Sequence, residues 1–342
     1  MMWLVSQAPA IPWVRQSRRR RLRRVNRTLS LFAVTGAALG AWCVHAAGSL
    51  RFLANEPLQY DFADQRSLPP TFGVGEFTLE LWIKPDNSYP AGDTARATYG
   101  QLTNWTADDV RPYSEQSWWY AGNWLLDGHS RPDGFDRGDN REGTFSLQFY
   151  GGGRLRWMFA DDADVIPVGK VWAVEAYPAK ATRSLLDGRW HQVTCVRRWR
   201  EGGKARLELW IDGKLLAQQP IPMRVNMRQF WDSPPHPRNP ETVGGWCWGS
   251  EVMTAWNHYF TQYEDYKGLL DELRFWDRAK SPQEIAAGWD KAVTGSEPGL
   301  VGYFPLDEGA GTVAHDKLDA SRVLTLHNVR PETWSNEDAP VH

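Results

Sequence analysis

Three sets of residues in this chain have the types and spacing for chemistry: acids, histidines with cysteines, and tryptophans. Retaining glycoside hydrolysis needs two carboxyls only about 5–5.5 Å apart, which on one strand means acids at alternate positions. No E-x-D-x-x-E run occurs; Glu264-Asp265 and Asp271-Glu272 are adjacent pairs. There is no G-x-S-x-G elbow and no H-E-x-x-H pair. His191 lies in a strand-like run, while His129, His236 and His258 are scattered without partners visible in sequence. The chain is therefore read as non-catalytic.

The tryptophans are the better lead. Of the 20 in the chain, Trp105, Trp118, Trp119, Trp124, Trp231, Trp246, Trp248 and Trp256 fall in stretches without regular patterning. Such rings stack on sugars or dock proteins through large, rigid, amphipathic surfaces. They equally fill the small cores that long inserts need. In Trp246-Cys247-Trp248 an extended backbone puts both rings on one side, which suits either role. All eight are candidate ligand-binding residues. The acidic clusters Asp133, Asp136, Asp139 and Asp161, Asp162, Asp164 offer oxygen ligands but lack EF-hand spacing, so solvated loop is the default.

The elements that must position these residues are strands. From Asp187 to Leu216 the chain reads turn, strand, Gly-Gly turn, strand, Asp-Gly turn. Val193 and Cys195 share one face, as do Leu207, Leu209 and Ile211, while Arg206, Glu208 and Trp210 point the other way. The same alternation marks Phe77 to Lys84, the hairpin Thr144 to Phe159, Leu270 to Trp276, Leu300 to Leu306 and Val323 to Val329, with Ser49 to Phe52 as a first strand. Ser281-Pro282-Gln283-Glu284 is a capping box with proline at the first helical position, predicting a short helix to about Val293. Patterning lapses over Asp86–Arg141, Asp161–Leu185 and Pro220–Tyr266; inserts this long are functional or self-packed.

The first 47 residues are read as a targeting segment. Eight arginines between Arg15 and Arg27 precede an apolar run, Leu29 to Ala47, and Val44-His45-Ala46 offers a cleavage point near Ala46 or Ala47. The expected domains are 1–47, a signal peptide or N-terminal membrane anchor, and 48–342, one exported body, whether periplasmic, cell-surface or secreted. Removing 1–46 takes Lys+Arg from 39 to 31 while Asp+Glu stays at 41, so the charge moves from −2 to about −10. A body so charged repels phosphate, which excludes nucleic acid as a partner. Membrane contact is expected only through an uncleaved N-terminal segment. In an oxidising compartment the remaining Cys195 and Cys247 are a candidate disulfide, with Cys195 as a small core residue the alternative.

Four pieces, FTLELWIKPD, DGRWHQV with LELWIDGKLL, KGLLDELRFWDRAKSPQEI and GLVGYFPLDEGAG, resemble in order the laminin-G-like, concanavalin A-like jelly-roll family. The resemblance implies an all-β, two-sheet antiparallel jelly-roll sandwich with one short C-terminal helix and long loop inserts. It also implies binding of carbohydrate or of an envelope protein, and a Ca2+ ion in many members. Asp271 matches the acidic residue of the final-strand motif and is the candidate calcium ligand, or else a turn cap. The acid that the family places after the first strand is replaced by Leu53.

Overall fold

The computed structural model describes residues 48–53, 62–65, 67–86, 123–128, 144–150, 154–160, 172–176, 185–221, 246–249 and 266–341. The chain divides into two units, Met1–Val44 and His45–His342, and the described residues all belong to the second. Among the described residues no helix is long and apolar enough to cross a membrane. Residues 1–47, expected to be a targeting segment, lie outside them.

Two antiparallel sheets carry the body. Sheet I runs β10 (Lys214–Ile221), β9 (Ala205–Ile211), β8 (His191–Trp199), β3 (Phe77–Pro85), β12 (Lys267–Trp276), β1 (Ser49–Leu53), β16 (Trp334–Ser335), with β13 (Leu300–Phe304) also on β12. Sheet II runs β14 (Val313–His315), β15 (Val323–His327), β2 (Phe62–Gln65), β11 (Trp246–Trp248), β4 (Asn123–Asp127), β5 (Thr144–Tyr150), β6 (Arg154–Ala160), β7 (Trp172–Ala176). The expected sandwich is what the chain forms.

Alternation explains why these segments are strands. On β3 Leu79, Leu81 and Ile83 face the core, and on β8 and β9 so do Val193, Cys195, Leu207, Leu209 and Ile211. Leu147, Phe149, Leu155 and Trp157 come up from sheet II to meet them. Each large apolar side chain so buried contributes about 1.5–3 kcal/mol. Phe72 fills the centre, its ring 4.8 Å from Phe77, 5.2 Å from Phe275 and 5.6 Å from Trp246.

The outer face of sheet I is closed. Helix α1 (Pro282–Gly288) packs Ile285 against Val196 and Trp210, and Trp289, its C-cap, lies 5.7 Å from Trp82. The capping box forms as expected, with Glu284 N–H on Ser281 Oγ and Ser281 N–H on Glu284 Oε2. The helix stops at Gly288 rather than near Val293, because a glycine ends the run and the chain turns there.

Three expected inserts contain strands. β4 lies in the first, β7 in the second and β11 in the third, and all three belong to sheet II. β2 occupies what reads as linker before Pro69. These strands are three to five residues long, too short for a period of two to register.

Candidate functional site

Sheet I holds buried charge under its helical cover. Glu80, 2% exposed, accepts from Trp276 Nε1 at 2.9 Å and from Lys280 Nζ, which also lies 4.4 Å from the Trp276 ring. Glu208 accepts from Arg198, Arg206 and Trp210. Burial works to raise the pKa of Glu208, but the two guanidiniums outweigh it and hold it below the ordinary value. Each acid is matched by donors, so this layer fastens the helix to the sheet.

His191 bridges the two Asp-Gly turns. Its Nδ1 lies 2.9 Å from Asp212 Oδ2 and its Nε2 3.1 Å from Asp187 Oδ1. Asp212 Oδ1 also accepts the Gln192 N–H at 2.9 Å, and Asp187 Oδ1 accepts the Arg189 N–H at 2.9 Å. Burial opposes protonation of the imidazole, but the bonds and charges of Asp212 and then Asp187 overcome it and raise the pKa. A ring held by carboxylates at both nitrogens has no nitrogen left to act as a base. It is a clamp between the two turns.

Asp271 is 1% exposed, and its two oxygens accept the N–H groups of Glu272 and Ala339, each at 2.9 Å. Burial pushes its carboxyl well up, helped by the charges of Glu272 and Asp338 and opposed by the Ala339 amide. Such a carboxyl ties β12 to the C-terminal segment. Among the described residues no group of three or more His, Cys, Asp or Glu is arranged to hold a metal ion. Beside it Glu272 takes φ 53° at a bulge and joins Arg274 and the Tyr303 hydroxyl.

Trp246 and Trp248, 1% and 0% exposed, lie in the core between the sheets. Trp248 Nε1 donates to Gln65 Oε1 at 2.9 Å, and the two rings lie 5.9 Å apart. The alternation does put both rings on one side, but that side is the inside, where no face remains for a ligand. Trp124 lies on β4 opposite Gln148, and its side chain is outside the described residues. Trp105, Trp118, Trp119, Trp231 and Trp256 lie outside them altogether, as do the clusters beginning at Asp133 and Asp161.

Cys195 and Cys247 do not pair; both are buried thiols in opposite sheets. Cys195 faces the core, while Cys247 alternates with the core-facing Trp246 and Trp248 and so faces outward. Packed sheets are about 10 Å apart, beyond the reach of a disulfide. Burial raises the Cys195 thiol pKa well above its ordinary value, so it is inert as a nucleophile.

The outer face of sheet II is different in kind. Register places Asp64, Cys247, Asp127 and Ser146 side by side on β2, β11, β4 and β5. One step along, Gln148 of β5 faces Arg156 of β6. Asp127, Ser146, Gln148 and Arg156 are each 0% exposed. Ser146 Oγ has no hydrogen-bond partner among the described residues, a demand that a structure ordinarily meets. No acid ladder or metal spacing in the sequence marks this row. Its one legible signal is alternation: where Leu147, Phe149, Leu155 and Trp157 face in, Ser146, Gln148 and Arg156 must face out. Chain connectivity adds a second feature: the expected tryptophan-bearing inserts, Asp86–Arg141 and Pro220–Tyr266, contain β4 and β11 of this sheet.

A protein of Bacteroides ovatus proposed to bind carbohydrate is 14% identical, with 87% of this chain and 62% of that one covered at a TM-score of 0.49. The chain thus spans less than two thirds of that protein's length. A SAP-like pentraxin of Limulus polyphemus is 13% identical over 83% of this chain and 97% of that one, at 0.43. The CBM40 of a Ruminococcus gnavus IT-sialidase, solved with α2,3-sialyllactose, is 12% identical over 71% and 96%, at 0.41. None of these distant likenesses carries a function over to this chain. Comparison with curated proteins gives no match. Residues 93–286 match the laminin-G-type model of the concanavalin A-like lectin/glucanases superfamily. That match takes in more than half of the chain, and with the sandwich described above it makes this protein a laminin-G-like member of the concanavalin A-like lectin/glucanases superfamily.

Proposed function

We propose that the protein is an exported, non-catalytic binding module that recognises carbohydrate on the sheet II side. The observation that carries this reading is the polar row Asp64, Asp127, Ser146, Gln148 and Arg156 on the side of sheet II away from the core, in which Asp64 is part-exposed and the other four are buried. Hydroxyl-rich ligands are held by side chains that donate and accept in this mixture, with aromatic rings covering their apolar faces. Trp124, on β4 opposite Gln148, is the tryptophan best placed by register to do so. Calcium remains part of the proposal only as a variable of the test.

A glycan array with the exported protein, run with calcium and with chelator, decides the ligand class. Binding that is retained in chelator and lost in Asp64→Asn supports the row. Binding that vanishes with chelator puts a metal in the site. Silence in both buffers transfers the face to a protein partner in the cell envelope.

One observation favours a second reading. Asp64 and Asp127 flank Cys247 two strand spacings apart, about 9.5 Å between backbones. That is too far for the retaining mechanism and at the wide end for the inverting one. Reducing-sugar release from array-positive glycans, abolished in Asp127→Asn, would establish hydrolysis.

A further inference from the structure

The geometry around His191 can be met by one charge state of its ring. Nδ1 stands 2.9 Å from Asp212 Oδ2 and Nε2 stands 3.1 Å from Asp187 Oδ1, so both nitrogens face carboxylate oxygens. A carboxylate only accepts, and a neutral imidazole carries a single N–H. The two contacts together therefore require the doubly protonated ring. Loss of one proton sets a nitrogen lone pair against an oxygen lone pair on one side. The two sides are unequal. Asp212 is fixed by further bonds: its Oδ1 accepts the Gln192 N–H at 2.9 Å and its own N–H donates to the Gln192 carbonyl at 2.9 Å. Trp289 packs on the adjoining Gly213. Asp187 is held, among the described residues, by the N–H of Arg189 in its own turn at 2.9 Å, with the exposed Arg189 Nε 4.0 Å from its other oxygen. Ile83 lies opposite His191 on β3, and neither it nor Trp289 carries charge; Lys214, at the start of β10, is exposed.

We infer that His191 is a pH-sensitive latch: charged, it fastens both Asp-Gly turns; neutral, it keeps Asp212 through Nδ1–H and releases Asp187 with the turn that leads into β8. The proton lost is the one on Nε2, because Asp187 can swing away with its turn and Asp212 cannot. Leu185, 0% exposed in the core, limits the release on one side, and Gln192, bonded to Asp212, limits it on the other. Between them lie the exposed Arg189 and the part-buried Trp190, whose Nε1 has no hydrogen-bond partner among the described residues. The surface beside β8 thus presents its cation and its indole differently in the two states. Burial of the ring opposes the charged form, but Asp212 and Asp187 outweigh it, which sets the change above the ordinary histidine value of about 6.5. This inference depends neither on export nor on the ligand.

The test follows the ring nitrogens of isotope-labelled histidine and the backbone amides of the full chain by NMR, from about pH 5.5 to 9. Two protonated nitrogens are expected on His191 at the acid end and Nδ1–H alone at the alkaline end. Over the same titration the Arg189 amide should exchange about tenfold faster relative to the Gln192 amide. Nε2–H alone at the alkaline end, or a ring neutral throughout, would overturn the latch. So would a ring that titrates while the ratio of the two exchange rates stays constant. Asp187→Asn, at a part-exposed turn position, is expected to fold and to lower the proton affinity of His191 about threefold. An unshifted titration in that variant would contradict the pairing on which the latch depends.

Discussion

At the scale of the residue, His191 and Trp248 fasten the fold through their ring nitrogens. His191 has a raised pKa, so its charged form is favoured by folding. Its stabilisation is fully present below the unfolded value of about 6.5 and is lost as pH rises through the higher folded value. Urea midpoints measured from pH 5.5 to 8.5 should fall across that window, and His191→Asn should flatten the profile at a cost of about 2 kcal/mol. A profile unchanged by the substitution would dissolve the clamp. Trp248→Ala removes a core ring and strands Gln65, with an expected loss of about 3–5 kcal/mol by denaturation. Trp124→Ala should weaken glycan binding at least tenfold. The sequence placed Trp246 and Trp248 on one face, but nothing local told inside from outside, because that depends on which sheet β11 joins.

At the scale of the element, the helical cover of sheet I rests on matched charge. Lys280→Met leaves Glu80 buried with only the Trp276 N–H and should cost about 3–5 kcal/mol in thermal or urea unfolding. Gly213→Ala tests the same cover at the turn below it. At φ 71° a Cβ there would stand 2.4 Å from Trp289, so both backbone and ring must shift. Legibility divided along the sheets. β3, β8, β9 and β12 span seven to ten residues and alternate or end on clear turn residues, so the centre of sheet I was readable, whereas β10 and the two-residue β16 were not anticipated. In sheet II only the β5–β6 hairpin and β15 showed such a pattern. β2 as FADQ, β4 as NWLLD and β11 as WCW are strands because their neighbours pair with them, which is tertiary context and not local propensity. The candidate site inherits that division: Ser146, Gln148 and Arg156 lie on the legible hairpin, Asp64 and Asp127 on strands the sequence conceals.

At the scale of the whole molecule, the asymmetry between the faces is the functional argument. One sheet is covered by a helix over charges that are matched by donors, and the other carries a largely buried polar row and is joined to the expected tryptophan-bearing inserts. An exported body with about ten excess negative charges, once residues 1–46 are removed, would keep anionic polymers at a distance and leave neutral glycans as the favoured class. Hydrogen–deuterium exchange on the protein, with and without an array-positive oligosaccharide, tests this most directly. The account predicts slowed exchange in β4, β5 and β6 with sheet I unchanged. Protection confined to the α1 side of sheet I would contradict it.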